Sequence, residues 1–556
     1  MKNSIFALVL FLFFVPAHAL STKAFDRPKL VLLLVIDQFR ADYLMRFQSR
    51  FMPPQLPSGK VGGFRFLTES GAYYPFATYE HLQCMTGPGH ATVLTGAYPY
   101  ASGIPTNYWY DREKKDRVYC TEDLQFKTVG VAKAKPHVGT SPSNLKASTI
   151  GDEIKNSGYP AKVVSIAVKD RAAILMGGHR PDLVLWHDFE SFRWVSSEYY
   201  LKNQKLPEWV ESINQKIESQ KNKMLEWKPE GKETGYSDPV QYSAGRDPSF
   251  GIGVGFPHQI AANTMGVLRS PFGVEMTFDT ALAAVKQMKL GNGQWTDLLA
   301  VSISSHDYLA HSHGPNSTEI EEMTIQEDRL ISKFLNDLKA QIPGGLKNVV
   351  IVLTADHGGG HVPEWLNKAG VDAGRINEED LSKQTNEVLE KKFGKLSDGQ
   401  KYVLFGLDFN QYLNLKAISK KGLTISEVEN EIKAFLKQQS WVADVFTSHD
   451  YEIKRLPLVK KGEQISKTYF PGRSGDVYIF ANPNYIPTGD TATHLTGYNY
   501  DCTVPIVMVG SMFKRGKFAE TAHVVDIAST LSFVLGITPP NMAEGRVLSE
   551  AIFQNK

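Results

Sequence analysis

Four short stretches of the chain are almost wholly apolar and β-branched, and each ends abruptly in polar residues. "KLVLLLVIDQ" ends at Asp37, "AKVVSIAVKDR" at Lys169 to Arg171, "DLLAVSISSHD" at Asp307, and "NVVIVLTADHGGG" at Asp356 and His357. Continuous apolar strands are covered on both faces, which is the habit of parallel sheets in α/β folds. Helical stretches alternate with them, and "VPIVMVG" and "HVVDIASTLSFVLG" predict a last strand and a packing helix near the C-terminus. The expectation is an α/β fold with a largely parallel central sheet flanked by helices. Ligands of such sheets sit beyond the carboxyl ends of the strands, where these polar residues fall. The four strand ends therefore predict one site assembled from distant parts of the chain.

Two stretches break the alternation. Residues 186–265 are rich in Trp, Tyr, Lys and Glu and end in the Gly-rich run "FGIGVGFP"; residues 360–475 hold amphipathic helices such as "TISEVENEIKAFLKQQ" with strands around them. Both read as insertions that cap or flank the sheet, and their charge runs as solvated helix faces. No internal repeat or low-complexity segment interrupts the pattern. The N-terminus differs again. Lys2 precedes an apolar run from Ile5 to Val15, followed by Ala17-His18-Ala19, which reads as a secretory signal peptide over residues 1–19. The run falls short of the roughly 20 residues of a membrane helix. Residues 20–556 are then one extracytoplasmic catalytic domain, periplasmic or secreted, with no further membrane span.

Composition adds limits rather than direction. With 556 residues, 42% hydrophobic, 22% charged and a net charge of +2, the chain has the size for a large core and no basic excess pointing to nucleic acid. Its three cysteines, Cys84, Cys120 and Cys502, allow at most one disulfide in an oxidising compartment. Cys84 is expected to be a packed thiol.

The chemistry lies at the strand ends. Asp307 and His311 stand four apart after a strand, so one helical turn puts both on one face, as a metal pair needs. Asp356-His357 is followed by three glycines, which permit a sharp turn presenting both side chains into one crevice. With Asp37 and His494 these make three carboxylates and three imidazoles. Mixed nitrogen and oxygen ligands without thiolates suit zinc, and six suffice for two ions about 4 Å apart, the arrangement that clamps displacement at phosphorus. "CMTGPGHATVLTG" supplies the hydroxyl. Thr86 precedes Gly87 and Pro88 at a helix start, where Pro loses no hydrogen bond, Gly lets the backbone approach a ligand, and free amides favour an anion.

This set resembles the alkaline phosphatase superfamily of two-zinc enzymes, and within it the type I phosphodiesterase/nucleotide pyrophosphatase branch that includes monomeric alkaline phosphatases with a Thr nucleophile. The match runs from near Leu30 to near Gly536. The resemblance implies a three-layer sandwich with inserted cap segments, and two Zn2+ per chain. One ion would be held by Asp307, His311 and His494, and the other by Asp37, Asp356 and His357 together with Thr86. It implies that Thr86 takes the phosphoryl group, that the phosphothreonine is then hydrolysed, and that Asn107 in "SGIPTNYWYD" binds a phosphoryl oxygen.

Lys169 and Arg171 bear on the substrate. Two apart at a strand end, they are expected to point the same way, and two cations favour the dianionic phosphoryl group of a monoester over a diester. The pair resembles the one in monoesterase members of the branch. Phosphate monoesters of broad range are thus the expected substrates. A phosphodiesterase or nucleotide pyrophosphatase is the alternative, and a catalytically silent zinc- or phosphate-binding protein a further one. The Asp-x-Ser and Cys-x-Pro-x-Arg nucleophile motifs of other superfamily branches are not found. His90 is expected to pack beneath the nucleophile helix, His306, His313 and His361 to lie near the site, and Tyr498 and Asp501 to orient His494.

Overall fold

The structure, a computed structural model, describes residues 27–131, 139–231, 252 and 255–553. The segment read as a signal peptide and part of the "FGIGVGFP" run lie outside them. An 11-stranded sheet forms the middle of the molecule. Its centre is five parallel neighbours in the order Val349–Thr354, Leu30–Ile36, Asp297–Ile303, Val163–Ala167 and Leu183–Asp188. These are the four apolar runs of the sequence plus "LVLWHD". Leu30 to Ile36 are all fully buried, as strands covered on both faces must be. At one side the strand Thr503–Val509 runs antiparallel to Val349–Thr354 and to Ala72–Thr78. A two-residue strand, Gly516–Lys517, follows it, so "VPIVMVG" is not the last strand. At the other side Arg193–Ser197 extends the sheet antiparallel to Leu183–Asp188.

Helices pack against the sheet. Pro271–Met288 lies against Asp297–Ile303 and Val163–Ala167 and carries the long helix Thr318–Gln341 with it, while Asp170–Gly177 packs on Val163–Ala167 and Leu183–Asp188. The helix Thr86–Thr95 packs on Asp170–Gly177, and Asp526–Leu535 packs on both Thr86–Thr95 and the helix Ile150–Asn156. Together these make the three-layer α/β arrangement.

Within residues 186–265 the structure shows a helix, Glu208–Ser219, and an antiparallel pair, Met224–Trp227 with His258–Ala261. Residues 360–475 and the strand that follows build a separate four-stranded antiparallel sheet, ordered Val403–Leu407, Asn410–Leu413, Val477–Ala481, Val442–Thr447. Helix Ile425–Leu436 buries Val428 and Ile432 beneath it. That apolar cluster also takes in Leu82, Met85 and Leu495. The second sheet therefore braces the segments bearing Thr86 and His494.

Candidate active site

All four strand ends meet in one place. Asp37 directly follows Leu30–Ile36, Asp356 follows Val349–Thr354, and Lys169 follows Val163–Ala167. After Asp297–Ile303 the chain turns into helix Ser305–His313, which puts Asp307 and His311 one turn apart with His311 Nε2 3.3 Å from Asp307 Oδ1. His494 arrives from a loop, its Nε2 3.6 Å from the same oxygen.

Thr86 is the first residue of helix Thr86–Thr95, entirely buried, with Met85 as N-cap in extended conformation. The residues around it explain the motif. A Cβ on Gly89 would lie 2.2 Å from the carbonyl oxygen of Asp356, and one on Gly87 would lie 2.9 Å from Asn107 Oδ1. Glycine here lets the helix approach the neighbouring strand end and Asn107. Asn107 Oδ1 accepts the Gly87 N–H at 2.7 Å, which leaves its NH2 end as the available donor. Lys169 Nζ lies 3.3 Å and Arg171 Nη2 3.2 Å from Thr86 Oγ1. Both cations thus converge on the hydroxyl, although not as the strand-end spacing implied. The strand stops at Ala167, Lys169 is an N-cap, and Arg171 is the second residue of helix Asp170–Gly177. A helix start turns side chains two apart by about 200°, and the pair meets because Lys169 and Arg171 approach Thr86 along different paths.

The carboxylates and imidazoles form groups able to hold metal ions. The ligand atoms of Asp307, His311 and His494 lie within 4.8 Å of one another, as do those of Asp37, Asp307 and His357 and those of Asp37, His90 and Asp356. Lys169 Nζ is 2.7 Å from Asp37 Oδ2 and also pairs with Asp307. Burial and the nearby Asp307 push the Asp37 carboxyl up, but Lys169 and His357 more than offset them and hold it well below the usual range. Asp307 is likewise held down against burial by Lys169 and His311. Asp356, by contrast, is pushed up by burial and by Asp37. Burial opposes the charge on His311, yet Asp307 and Asp490 raise it to about 10. His494 falls to about 3 through burial and the adjacent His357, whose ring stacks on it at 3.6 Å. Asp37 Oδ1 and His357 Nε2 face each other at 3.4 Å, each buried without a hydrogen-bond partner among the described residues. Opposed lone-pair atoms of this kind fit a bound cation, since uncompensated buried polar atoms are costly.

Several expectations need correction. Cys84 is not a free thiol: it is joined to Cys502, with Cα atoms 5.6 Å apart. Cys120 is the buried thiol, pushed up to about 12 by burial. Asp501 does not hold His494. Its Oδ2 accepts from Thr496 N and Oγ1, Tyr498 donates to Ala481, and the carbonyl of Cys84 lies 2.9 Å from His494 Nδ1. The glycines after His357 serve packing, not left-handed geometry, for none has a positive φ. A Cβ on Gly358 would lie 2.3 Å from the Tyr500 carbonyl, and one on Gly359 2.6 Å from Gln38 Nε2. His90 does more than pack: its Nδ1 is 3.0 Å from Asp356 Oδ2 and 2.9 Å from the Thr86 carbonyl, and its Nε2 is 2.8 Å from Ser302 Oγ. His306 pairs with Glu327 at 3.1 Å, and His361 with Asn316 at 3.0 Å. Residues not anticipated include Gln38, whose N–H donates to Asp356 Oδ1 at 3.1 Å, Tyr308, whose ring faces Lys169 Nζ at 5.1 Å, and Tyr119. Gln38 adjoins an expected ligand, which was a usable signal; Tyr119 had none.

The chain belongs to the type I phosphodiesterase / nucleotide pyrophosphatase family, whose sequence model matches residues 31–501. It is 31% identical over 554 residues to the alkaline phosphatase PafA of Elizabethkingia meningoseptica, covering 96% of each chain. It is 32% identical over 547 residues to the alkaline phosphatase PhoV of Synechococcus elongatus, covering 95% of this chain and 93% of the relative. The crystal structure of wild-type PafA matches with a TM-score of 0.83 at 29% identity, over 95% of this chain and 99% of that one. The protein is a phosphatase with the alkaline phosphatase fold, a phosphomonoesterase of this superfamily. Among the described residues no helix is long and apolar enough to cross a membrane.

Proposed function

We propose that the protein hydrolyses phosphate monoesters of broad range with two zinc ions per chain and a phosphothreonine intermediate at Thr86, as a monomer outside the cytoplasm. The observation that carries this reading is the convergence of Lys169 Nζ and Arg171 Nη2 on Thr86 Oγ1, at 3.3 and 3.2 Å. Two cations beside one buried hydroxyl suit a transferring group with two negative charges better than one with a single charge.

The residues divide the work. Thr86 Oγ bonds to phosphorus as the ester P–O bond breaks; the Thr86 proton passes to solvent, and the departing alkoxide takes one up from solvent to leave as the alcohol. Lys169, Arg171 and the Asn107 NH2 hold the phosphoryl oxygens. The residues that would hold the two ions are Asp37, Asp356 and His357 with Thr86, and Asp307, His311 and His494. Zinc held there would supply Lewis-acid stabilisation of developing charge and a water of lowered pKa. Attack of water on the phosphothreonine then releases inorganic phosphate and restores the hydroxyl. The carbonyl of Cys84 beside His494 Nδ1 fixes that ring with Nε2 directed at Asp307, and such outer partners set the ligating nitrogen.

The Cys84–Cys502 disulfide supports an oxidising, extracytoplasmic location, as does the N-terminal sequence. The test is hydrolysis of a matched aryl monoester and diester by zinc-loaded enzyme and by Lys169→Ala/Arg171→Ala. Monoester turnover should dominate and collapse in the variant while diester turnover is mostly kept. A faster diester reaction in the unaltered enzyme would instead favour the diesterase reading.

A further inference from the structure

We infer that Tyr119 is a positioning residue for Arg171, holding its guanidinium on Thr86 and away from Asp170; this rests on the phosphoryl-binding role proposed for Arg171. The geometry is a short chain of contacts. Arg171 Nη2 reaches Thr86 Oγ1 at 3.2 Å, and Nη1 donates to Tyr119 Oη at 3.2 Å. The Tyr119 hydroxyl donates in turn to Asp170 Oδ1 at 2.6 Å, an oxygen that also accepts the backbone N–H of Arg171 at 2.8 Å. Arg171 Nε is buried with no hydrogen-bond partner among the described residues, so one donor of the fork stays open.

A guanidinium and a carboxylate that both reach one hydroxyl are near enough to compete for a direct pair, which would be charge-assisted and would draw Arg171 off Thr86. Here the phenol stands between them. It takes the arginine as acceptor and the carboxylate as donor, so each is satisfied without meeting the other. The arrangement needs the phenol neutral, and burial holds Tyr119 well above its ordinary value.

Tyr119 is itself placed by the site. It ends strand Asp116–Tyr119, which pairs with Tyr108–Asp111, directly opposite Tyr108, with ring centroids 4.9 Å apart. One residue to either side, the Asn107 carbonyl accepts from Cys120 N at 2.9 Å. One hairpin thus carries the Asn107 amide and the hydroxyl that aims Arg171, fixing the spacing of two phosphoryl contacts with one element.

The test is a double-mutant cycle of Tyr119→Phe and Arg171→Ala, read as kcat/KM for a monoester and its matched diester and as inhibition by inorganic phosphate. Tyr119→Phe keeps the ring packing. It should lower monoester kcat/KM about tenfold, weaken phosphate inhibition in parallel, and leave the diester little changed. In the Arg171→Ala background it should cost nothing further. An equal loss in both backgrounds, a matched fall in monoester and diester rates, or no loss at all would overturn the inference while leaving the role of Arg171 intact. If Arg171→Ala alone cost neither monoester rate nor phosphate affinity, the Arg171 reading itself would fall.

Discussion

At the scale of single residues the proposed function rests on Thr86 and the two cations that reach its oxygen. Thr86→Ala should abolish turnover while metal content and phosphate binding persist, measured by elemental analysis and phosphate titration; a silent binding protein would bind alike but show no turnover even with Thr86 in place. Lys169→Ala should cost about 10²–10³ in monoester kcat/KM, the usual loss on deleting one preorganised donor to a developing charge, with a smaller effect on diesters. Lys169 also neutralises Asp37 and Asp307, so metal content should be checked in the same preparation. The residues with distinctive chemistry were legible from the chain because carboxylates, imidazoles and a hydroxyl at strand ends have few other uses. Tyr119 and Tyr308 were not, since a tyrosine in a strand or helix is ordinarily packing. His494 does lie beside Asp307, but the partner expected for its other nitrogen was misread: Asp501 is near in sequence, and the Cys84 carbonyl is near only in space.

Elements set how those residues meet. Helix Thr86–Thr95 lies so close to the end of strand Val349–Thr354 that a Cβ at Gly89 would sit 2.2 Å from the Asp356 carbonyl. Neither side of that contact is a flexible side chain. Gly89→Ala should therefore cost at least about 1–3 kcal/mol, the range for overpacking, and should misplace Thr86 against Asp356. Gly293→Ala, whose Cβ would meet nothing closer than 3.9 Å, is the control. Thermal melts and kcat/KM for both variants check this, and similar behaviour in the two would contradict it. Apolar runs announced the parallel strands because burial on both faces leaves no polar position. The departure of Lys169 and Arg171 from the strand was not visible, since strand ends and helix caps share the same short polar sequences.

At the scale of the whole molecule, distant parts of the chain are clamped around the site. The Cys84–Cys502 bond closes a separation of 418 residues, for which the chain-entropy account gives up to about 6 kcal/mol. It joins the segment before Thr86 to the short helix Asn499–Cys502 that follows His494. Cys502→Ser should lower the unfolding free energy by several kcal/mol, seen in denaturant titration, and loosen His494. A second clamp joins Arg546 and Glu550 to Tyr74 of the sheet. The hydrogen bond from Arg546 lowers the Glu550 carboxyl from 4.5 to about 2. Between those values the unfolded chain binds the extra proton, so this contribution is complete above about pH 4.5 and fades as pH falls toward 2. Glu550→Gln should lessen the drop in Tm between pH 6 and pH 3. Fold class was legible because alternating strands and helices determine layers; the disulfide was not, because three cysteines permit several pairings. The central claim is that two zinc ions sit around Thr86, and anomalous diffraction at the zinc edge from crystals of zinc-loaded protein tests it most directly. Two peaks are expected, one among Asp307, His311 and His494 and one among Asp37, Asp356, His357 and Thr86. A single peak, or peaks away from Thr86, would contradict it.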